Sequence, residues 1–215
     1  MDRIKRVVII TGGSINDYNC YGGIWEQDDY IICADSGVNH ARKLSVVPQL
    51  IVGDLDSAFP ENINFYQGLG SEVVEYEKEK DQTDTQIALE YALQKHPREI
   101  LVLGAIGNRL DHTLSNVLLL TSFLKKGIKV TIRNEIQEIL LIEDRIVLEG
   151  KKGDLISLLP LTPWVKGIKT WGLKYSIKDG FFQQTNPYGV SNELAEDKAV
   201  IEVSEGLLLL IRVFI

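Results

Sequence analysis

The sequence predicts two regions of different class. The first, residues 1–135, is an α/β N-terminal domain with a parallel sheet covered by helices on both faces; the second, residues 136–215, is an all-β antiparallel sandwich domain. Three observations carry this. Up to about residue 133, apolar strand-like runs alternate with helical stretches, and such alternation demands parallel strands joined by covering helices. After Asn134 no helical period longer than two turns appears, and short β-type runs follow at close spacing. Acidic residues also follow four of the strand-like runs, at Asp35, at Asp54 and Asp56, at Asp81 and Asp84, and at Asp111. In an open parallel sheet the loops at the carboxyl ends of the strands line one crevice, where ligands bind.

Taken in order, Arg6 to Ile10 reads as the first strand and ends in Thr11-Gly12-Gly13. Tyr30 to Ala34 is the second, followed by Asp35-Ser36-Gly37 and a helical stretch to about Leu44. Gln49 to Val52 is the third, and Pro60 starts a short helix near Phe65. Glu72 to Tyr76 is the fourth, before the polar run Glu77 to Gln82. Thr83 and Gln86 have the spacing of a capping box, opening a helix to about Lys95. Ile100 to Leu103 is the fifth strand, His112 to Lys126 a buried helix, and Ile128 to Arg133 the last strand of the series. Beyond it the β-type runs are Ile139 to Ile142, Arg145 to Leu148, Leu155 to Leu159, Lys174 to Ile177, Val200 to Val203 and Leu207 to Phe214. Turn residues separate them, among them Asp179-Gly180, a hairpin signal. The runs Leu118 to Leu120 and Leu207 to Leu210 are assigned to the core.

Composition narrows the classes of function. The chain has 215 residues, is 45% hydrophobic and 25% charged, and carries a net charge of −7, which argues against a broad nucleic-acid surface. No apolar run approaches the ~20 residues of a membrane span. Met1 to Arg6 lacks the apolar stretch of a signal peptide, and Cys20 and Cys33 suit a reducing cytoplasm as ordinary thiols. His40, His96 and His112 form no His-x-x-x-His pair, which disfavours zinc.

The centre of the sequence is Ile51-Val52-Gly53-Asp54-Leu55-Asp56-Ser57. If extended, the two aspartates share a face, because side chains alternate with period two. Two carboxylates ~4 Å apart repel by roughly 4 kcal/mol at an effective dielectric of ~20, which a hard divalent cation such as Mg²⁺ relieves. Other motifs have two readings each. Thr11-Gly12-Gly13 either lets backbone amides approach a phosphate or makes a tight turn. Asp35 and Ser36 either face a ligand or cap a helix, and Asp84 either faces the crevice or complements a helix dipole. Arg109, in Gly107-Asn108-Arg109-Leu110-Asp111-His112, is a forked donor suited to phosphate oxygens, with His112 expected at the surface. Neither a Walker A loop nor a Gly-x-Gly-x-x-Gly fingerprint is present. An acidic cleft repels a polyphosphate on its own and attracts one with metal bound, which points to metal-assisted phosphoryl-type transfer.

Five segments together resemble the bacterial thiamine pyrophosphokinases: Ala34-Asp35-Ser36-Gly37, Gly53-Asp54-Leu55-Asp56-Ser57, Lys80-Asp81-Gln82-Thr83-Asp84, Gly107 to His112, and Gly189-Val190-Ser191-Asn192-Glu193. They stand in the family's order across most of the chain. The resemblance implies an α/β domain followed by a β-sandwich, a homodimer, Mg²⁺, and ATP as co-substrate. The family's reaction moves a pyrophosphoryl group from ATP to the hydroxyl of thiamine and releases AMP. Carried over by residue, Asp54, Asp56 and Asp84 hold Mg²⁺ and Asp81 supports them. Thr11, Asp35, Ser36 and Arg109 contact the nucleotide. Asp111 lies near the reacting groups or the thiamine, and Ser191 and Asn192 contact its pyrimidine. Lys80 departs from some relatives, in which a polar uncharged residue precedes the aspartate. The thiamine site is expected to be shared between chains. Of Trp164, Trp171, Tyr175 and Tyr188, some are expected in the sandwich core or dimer seam and one against a thiamine ring. Two other readings are a non-catalytic nucleotide- or metabolite-sensing module and a metal-dependent phosphohydrolase. AMP release that needs thiamine and Mg²⁺ separates both from the enzyme.

Overall fold

The computed structural model describes residues 4–124 and 126–215. Residues 1–3 of the N-terminal segment and Lys125 of the predicted helix lie outside the described residues. The chain divides into two compact units, Met1–Glu135 and Ile136–Ile215.

In the first unit, six strands pair in parallel: β1 (Arg6–Ile10), β2 (Tyr30–Ala34), β3 (Leu50–Gly53), β4 (Glu72–Glu75), β5 (Glu99–Leu103) and β6 (Lys129–Arg133). Their order is β6-β5-β1-β2-β3-β4. The helices are α1 (Gly37–Leu44), α2 (Pro60–Gly68), α3 (Asp84–Gln94) and α4 (Leu110–Leu124). A short 3-10 helix, Tyr18–Tyr21, lies between β1 and β2. Val7, Val8, Ile9 and Ile10 are all fully buried, as a central strand covered on both faces requires. Val8, Ile10, Cys33 and Ile51 pack with Val38 and Ala41 of α1 and Tyr66 of α2. The chain runs outward from β1 to β4, then returns to place β5 on the other side of β1. That reversal opens a crevice at the carboxyl ends of β1 and β5, a topological switch point.

The α3 start follows the sequence signal in part. Thr83 caps it by accepting from the Gln86 backbone N–H at 3.2 Å, but the Gln86 side chain donates to Glu90 rather than reaching back. The buried-helix expectation for α4 needs correction. Asn116, Val117, Leu120 and Phe123 are buried, whereas Leu110, Leu114 and Leu118 are more than half exposed. Leucines four apart fall on one helix face, and this face is turned to solvent.

The second unit holds two four-stranded antiparallel arrays. One is β12 (Asn192–Glu193), β9 (Leu155–Pro160), β14 (Leu208–Val213) and β7 (Gln137–Ile142), in that order. The other is β11 (Gly180–Gln183), β10 (Trp164–Trp171), β13 (Lys198–Glu202) and β8 (Arg145–Glu149). Alternate residues of both, including Leu140, Ile156, Leu158, Leu208 and Leu210 from one and Val165, Ile168, Phe182 and Ile201 from the other, form one core. The sequence reading missed β10, β11 and β12. In β10 a register shift between Lys166 and Ile168, with Gly167 at φ +62°, breaks the period of two that marks a strand. Lys174 to Ile177, read as a strand, is instead part of the connection between β10 and β11, tied back where Ile177 N–H donates to Thr170 Oγ1 at 2.8 Å. Gly180 of the Asp-Gly pair opens β11 rather than forming a hairpin tip. Trp164, Trp171, Tyr175 and Tyr188 are all about half exposed, so none belongs to the sandwich core.

Candidate active site

The loops that follow β1 to β5 line a cavity of about 720 Å³, built entirely from the first unit. Thr11 to Ser14 come from the β1 end, Asp35 and Ser36 from β2, Asp54 and Ser57 from β3. Lys78, Lys80 and Gln82 to Thr85 precede or open α3, and Gly104, Ala105, Gly107, Asn108 and Arg109 follow β5.

Three carboxylates converge there. One oxygen each from Asp35, Asp54 and Asp84 lie within 4.8 Å of one another. Local backbone geometry brings them together. Gly53 at the end of β3 has φ +146°, and a Cβ on it would sit 3.1 Å from both Asp84 Oδ1 and the Asp35 nitrogen. Glycine is therefore needed for conformation and for close approach. Asp35 itself has φ +48°, a left-handed conformation uncommon outside glycine, and its N–H donates to the Val52 carbonyl at 2.8 Å. Ser36 stands at the N-cap of α1 without a side-chain capping bond, so the helix-cap reading of Asp35-Ser36 fails.

Among the described residues, Asp35 Oδ1 and Asp84 Oδ1 are buried without a hydrogen bond. The Lys80 ammonium lies 3.1 Å from Asp84 Oδ1, close enough for an ion pair but outside hydrogen-bond alignment. Burial pushes the Asp35 carboxyl above its ordinary range, and the charges of Asp84 and Asp54 add to that. Buried, converging carboxylate oxygens without donors fit a hard divalent cation.

Asp56 lies outside this group. The expectation that Asp54 and Asp56 share a face assumed an extended chain. Leu55 has φ +59°, and the Asp56 N–H donates to Asp54 Oδ1 at 3.3 Å, so the segment is a turn. Asp56 is instead paired with Lys78 and accepts from Ser57, which hold its carboxyl below the usual range.

Thr11 is buried and donates through Oγ1 to the Leu103 carbonyl at 3.2 Å, joining the ends of β1 and β5. Gly12 and Gly13 are as much packing as turn, since a Cβ on them would strike Ser36 Oγ and the Gly104 carbonyl at 2.0 Å. Arg109 faces the cavity, with its guanidinium donating to Asp111 at 2.6 Å. This pair holds the Asp111 carboxyl below its usual range; Asp111 and Asp81 are exposed and do not line the cavity. His112 is exposed, as expected, but does line it.

Ser191 and Asn192 belong to the second unit. Ser191 has φ +58°, and its N–H donates to Ser157 Oγ. Asn192 uses its amide on both backbone groups of Tyr175, at 3.0 and 2.8 Å. The sequence reading gave no site role to two cavity residues of consequence. One is Lys80, whose position in a charged run resembles a solvated loop. The other is His40, which bonds the Gly13 carbonyl through Nε2 at 2.8 Å and Tyr18 Oη through Nδ1 at 2.7 Å. A carbonyl only accepts, so Nε2 carries the proton and Nδ1 accepts from the tyrosine. Burial lowers the His40 pKa, in keeping with this neutral form.

Comparison with known proteins agrees over both units. Residues 21–132 match the family described as thiamin pyrophosphokinase, catalytic domain, and residues 143–208 match thiamin pyrophosphokinase, vitamin B1 binding domain. The chain is 28% identical over 212 residues to thiamine pyrophosphokinase of Bacillus subtilis, covering 97% of this chain and 99% of that protein. It is 25% identical over 211 residues to thiamine pyrophosphokinase 1 of Oryza sativa subsp. japonica, covering 86% and 79%. The crystal structure of thiamine pyrophosphokinase from Bacillus subtilis matches with a TM-score of 0.88 at 25% identity, over 98% of this chain and 100% of that one. That of thiamin pyrophosphokinase from Geobacillus thermodenitrificans matches with a TM-score of 0.83 at 26% identity, over 97% of each. With its larger half matching the catalytic family and the smaller half its vitamin-binding partner domain, the chain belongs to the thiamin pyrophosphokinase family.

Proposed function

We propose that the strand-end cavity is where this chain carries out its family's reaction, transferring pyrophosphate from ATP to the hydroxyl of thiamine to give thiamine diphosphate and AMP. The observation that carries the site assignment is the convergence of Asp35, Asp54 and Asp84, with buried oxygens that lack donors, in a cavity rimmed by Arg109. A passive anion binder has no use for three converging carboxylates, which disfavours the sensing module.

Asp54 and Asp84 hold the metal, Mg²⁺ by ligand type, with Asp35 beside them. Asp56, held by exposed Lys78 and its neighbour Ser57, joins them directly or through water. Bound there, the cation neutralises the polyphosphate and the charge on the transferred group. Arg109 offers its fork to phosphate oxygens, with Asp111 orienting it from outside the cavity. Thr11, Ser36 and the Gly12-Gly13 turn, pinned by His40, shape the nucleotide side, and Asp81 supports the metal loop. In the transfer, the thiamine hydroxyl oxygen bonds to the β-phosphorus and loses its proton. The bond from that phosphorus to the α-phosphate's bridging oxygen breaks, and AMP leaves.

The working form is a homodimer in the cytoplasm, with Ser191 and Asn192 contributing to thiamine binding. The half-exposed aromatics of the second unit and the exposed α4 leucines support an assembly that covers apolar surface. No helix among the described residues is long and apolar enough to cross a membrane.

The deciding experiment follows AMP by chromatography with ATP, thiamine and Mg²⁺, omitting each in turn. AMP only when all three are present supports the proposal; phosphate or pyrophosphate release without thiamine indicates a hydrolase, and no turnover leaves a binding module. For the dimer, Asp54→Ala and Asn192→Ala chains are mixed after each is shown to be inactive and to exchange subunits. Shared sites restore about a quarter of the activity by random assortment, and no recovery rules sharing out.

A further inference from the structure

Lys80 sits in the polar run between β4 and α3, yet its side chain is only 15% exposed. Its ammonium lies 3.3 Å from Asp54 Oδ2, 3.1 Å from Asp84 Oδ1 and 3.3 Å from the Glu77 carbonyl. Two of its donors bond Asp54 Oδ2 and the Glu77 carbonyl, while Asp84 Oδ1 is held by charge alone. A divalent ion on these carboxylates at ~2.0–2.1 Å would have this like charge as its neighbour. Among the described residues Lys80 carries the one ammonium ion-paired to Asp54 and Asp84, so a metal taking those oxygens must displace it, on a cavity wall where a polyphosphate could receive it.

We propose that Lys80 is the triad's own counter-ion, holding Asp54 and Asp84 until a divalent cation takes them, and then passing to the phosphates of the nucleotide. Metal and nucleotide each vacate a partner that the other uses, so their binding is coupled through one side chain. The inference rests on the reading that metal and polyphosphate meet in this cavity.

The test uses the full chain and two binding measurements that need no turnover. Mn²⁺ alone is titrated and read by electron paramagnetic resonance; α,β-methylene-ATP is titrated in EDTA and read by calorimetry. Lys80→Met is expected to bind Mn²⁺ about tenfold more tightly than wild type and the metal-free nucleotide about tenfold more weakly, within the usual range of coupling between sites. Lys80→Arg keeps the charge and should stay within about threefold of wild type in both. Opposite signs are the signature, because a merely structural lysine would weaken both when removed. Unchanged or weaker Mn²⁺ binding in Lys80→Met, with the far-ultraviolet circular dichroism of wild type, overturns the proposal; Lys80→Gln replaces that variant if it does not fold. Asp54→Asn separates the two levels. If it abolishes Mn²⁺ binding while Lys80→Met changes nothing, only the role of Lys80 falls. If Mn²⁺ binding ignores Asp54, the metal assignment falls and this inference with it.

Discussion

Two groups of charged residues, one in each unit, teach opposite lessons. In the second unit Arg212 is surrounded by Asp154 and Glu138, at 2.7 and 3.0 Å. Asp154 Oδ2 also accepts from the Lys151 N–H at 3.0 Å and Oδ1 from the Ile215 N–H at 3.2 Å, while Arg212 Nη1 donates to the Glu149 carbonyl at 2.7 Å. Both Asp154 oxygens are served, and the cluster ties β7, β14, the turn before β9 and the C-terminus together. In the first unit Asp35, Asp54 and Asp84 converge, one ammonium pairs with the last two, and two buried oxygens lack a hydrogen bond among the described residues. A satisfied buried charge holds structure in place. Unsatisfied ones are kept at a cost to stability, and that cost marks them for binding.

The largest effect should come from Asp54→Ala. It should cut AMP formation by about a thousandfold or more, ~4 kcal/mol of transition-state stabilisation, while leaving the melting temperature in EDTA unchanged or higher. Wild-type turnover at normal Mg²⁺ would erase the distinction between the two clusters. Asp56→Ala should also lose most turnover and stay folded; turnover within about twofold of wild type would make Asp56 merely a partner for Lys78.

Asp154→Ala should show the reverse signature. Losing one partner of a buried ion pair costs about 3–5 kcal/mol, seen as a lower denaturant midpoint, with activity per folded molecule retained. Burial alone would raise the Asp154 carboxyl, but donation from Lys151, Arg212 and Ile215 outweighs it and lowers the pKa below 3.8. A carboxylate held low in the fold stabilises above its unfolded pKa, and that stability is lost as pH falls through the folded value. Wild type should therefore lose more stability below about pH 3.8 than Asp154→Asn does, measured by urea unfolding across acid pH.

Arg109→Lys should raise the KM for ATP about tenfold with little change in folding, because lysine keeps the charge and loses the fork. Activity within about twofold would make Arg109 a plain point charge. The smallest effect is Asp35→Asn in the metal-free protein. A carboxyl raised in the fold opposes folding above its unfolded pKa, so removing the charge should lift the melting temperature at pH 7 by a few degrees, at ~2–4 °C per kcal/mol for a chain of this size. A fall instead would place Asp35 among the satisfied charges.

The sequence by itself determined the fold class and pointed to several of the residues that line the cavity. Apolar runs such as Val7 to Ile10 are strands in any arrangement, because only a covered sheet buries them. Asp35, Asp54, Asp84 and Arg109 are legible because each follows a strand-like run, and strand ends face one crevice. Tertiary structure decided the rest. The order β6-β5-β1-β2-β3-β4 puts the ends of β1 and β5 side by side, and no local pattern encodes that pairing. Leu55 at φ +59° turned Asp56 away and left Asp35 as the third member of the triad, because one left-handed residue cancels the alternation that a strand would impose. The bulge at Gly167 hid β10 in the same way. Lys80 resembled a solvated charge because exposure depends on what the rest of the chain places around a side chain, and here the ends of β3 and α3 place two carboxylates against it.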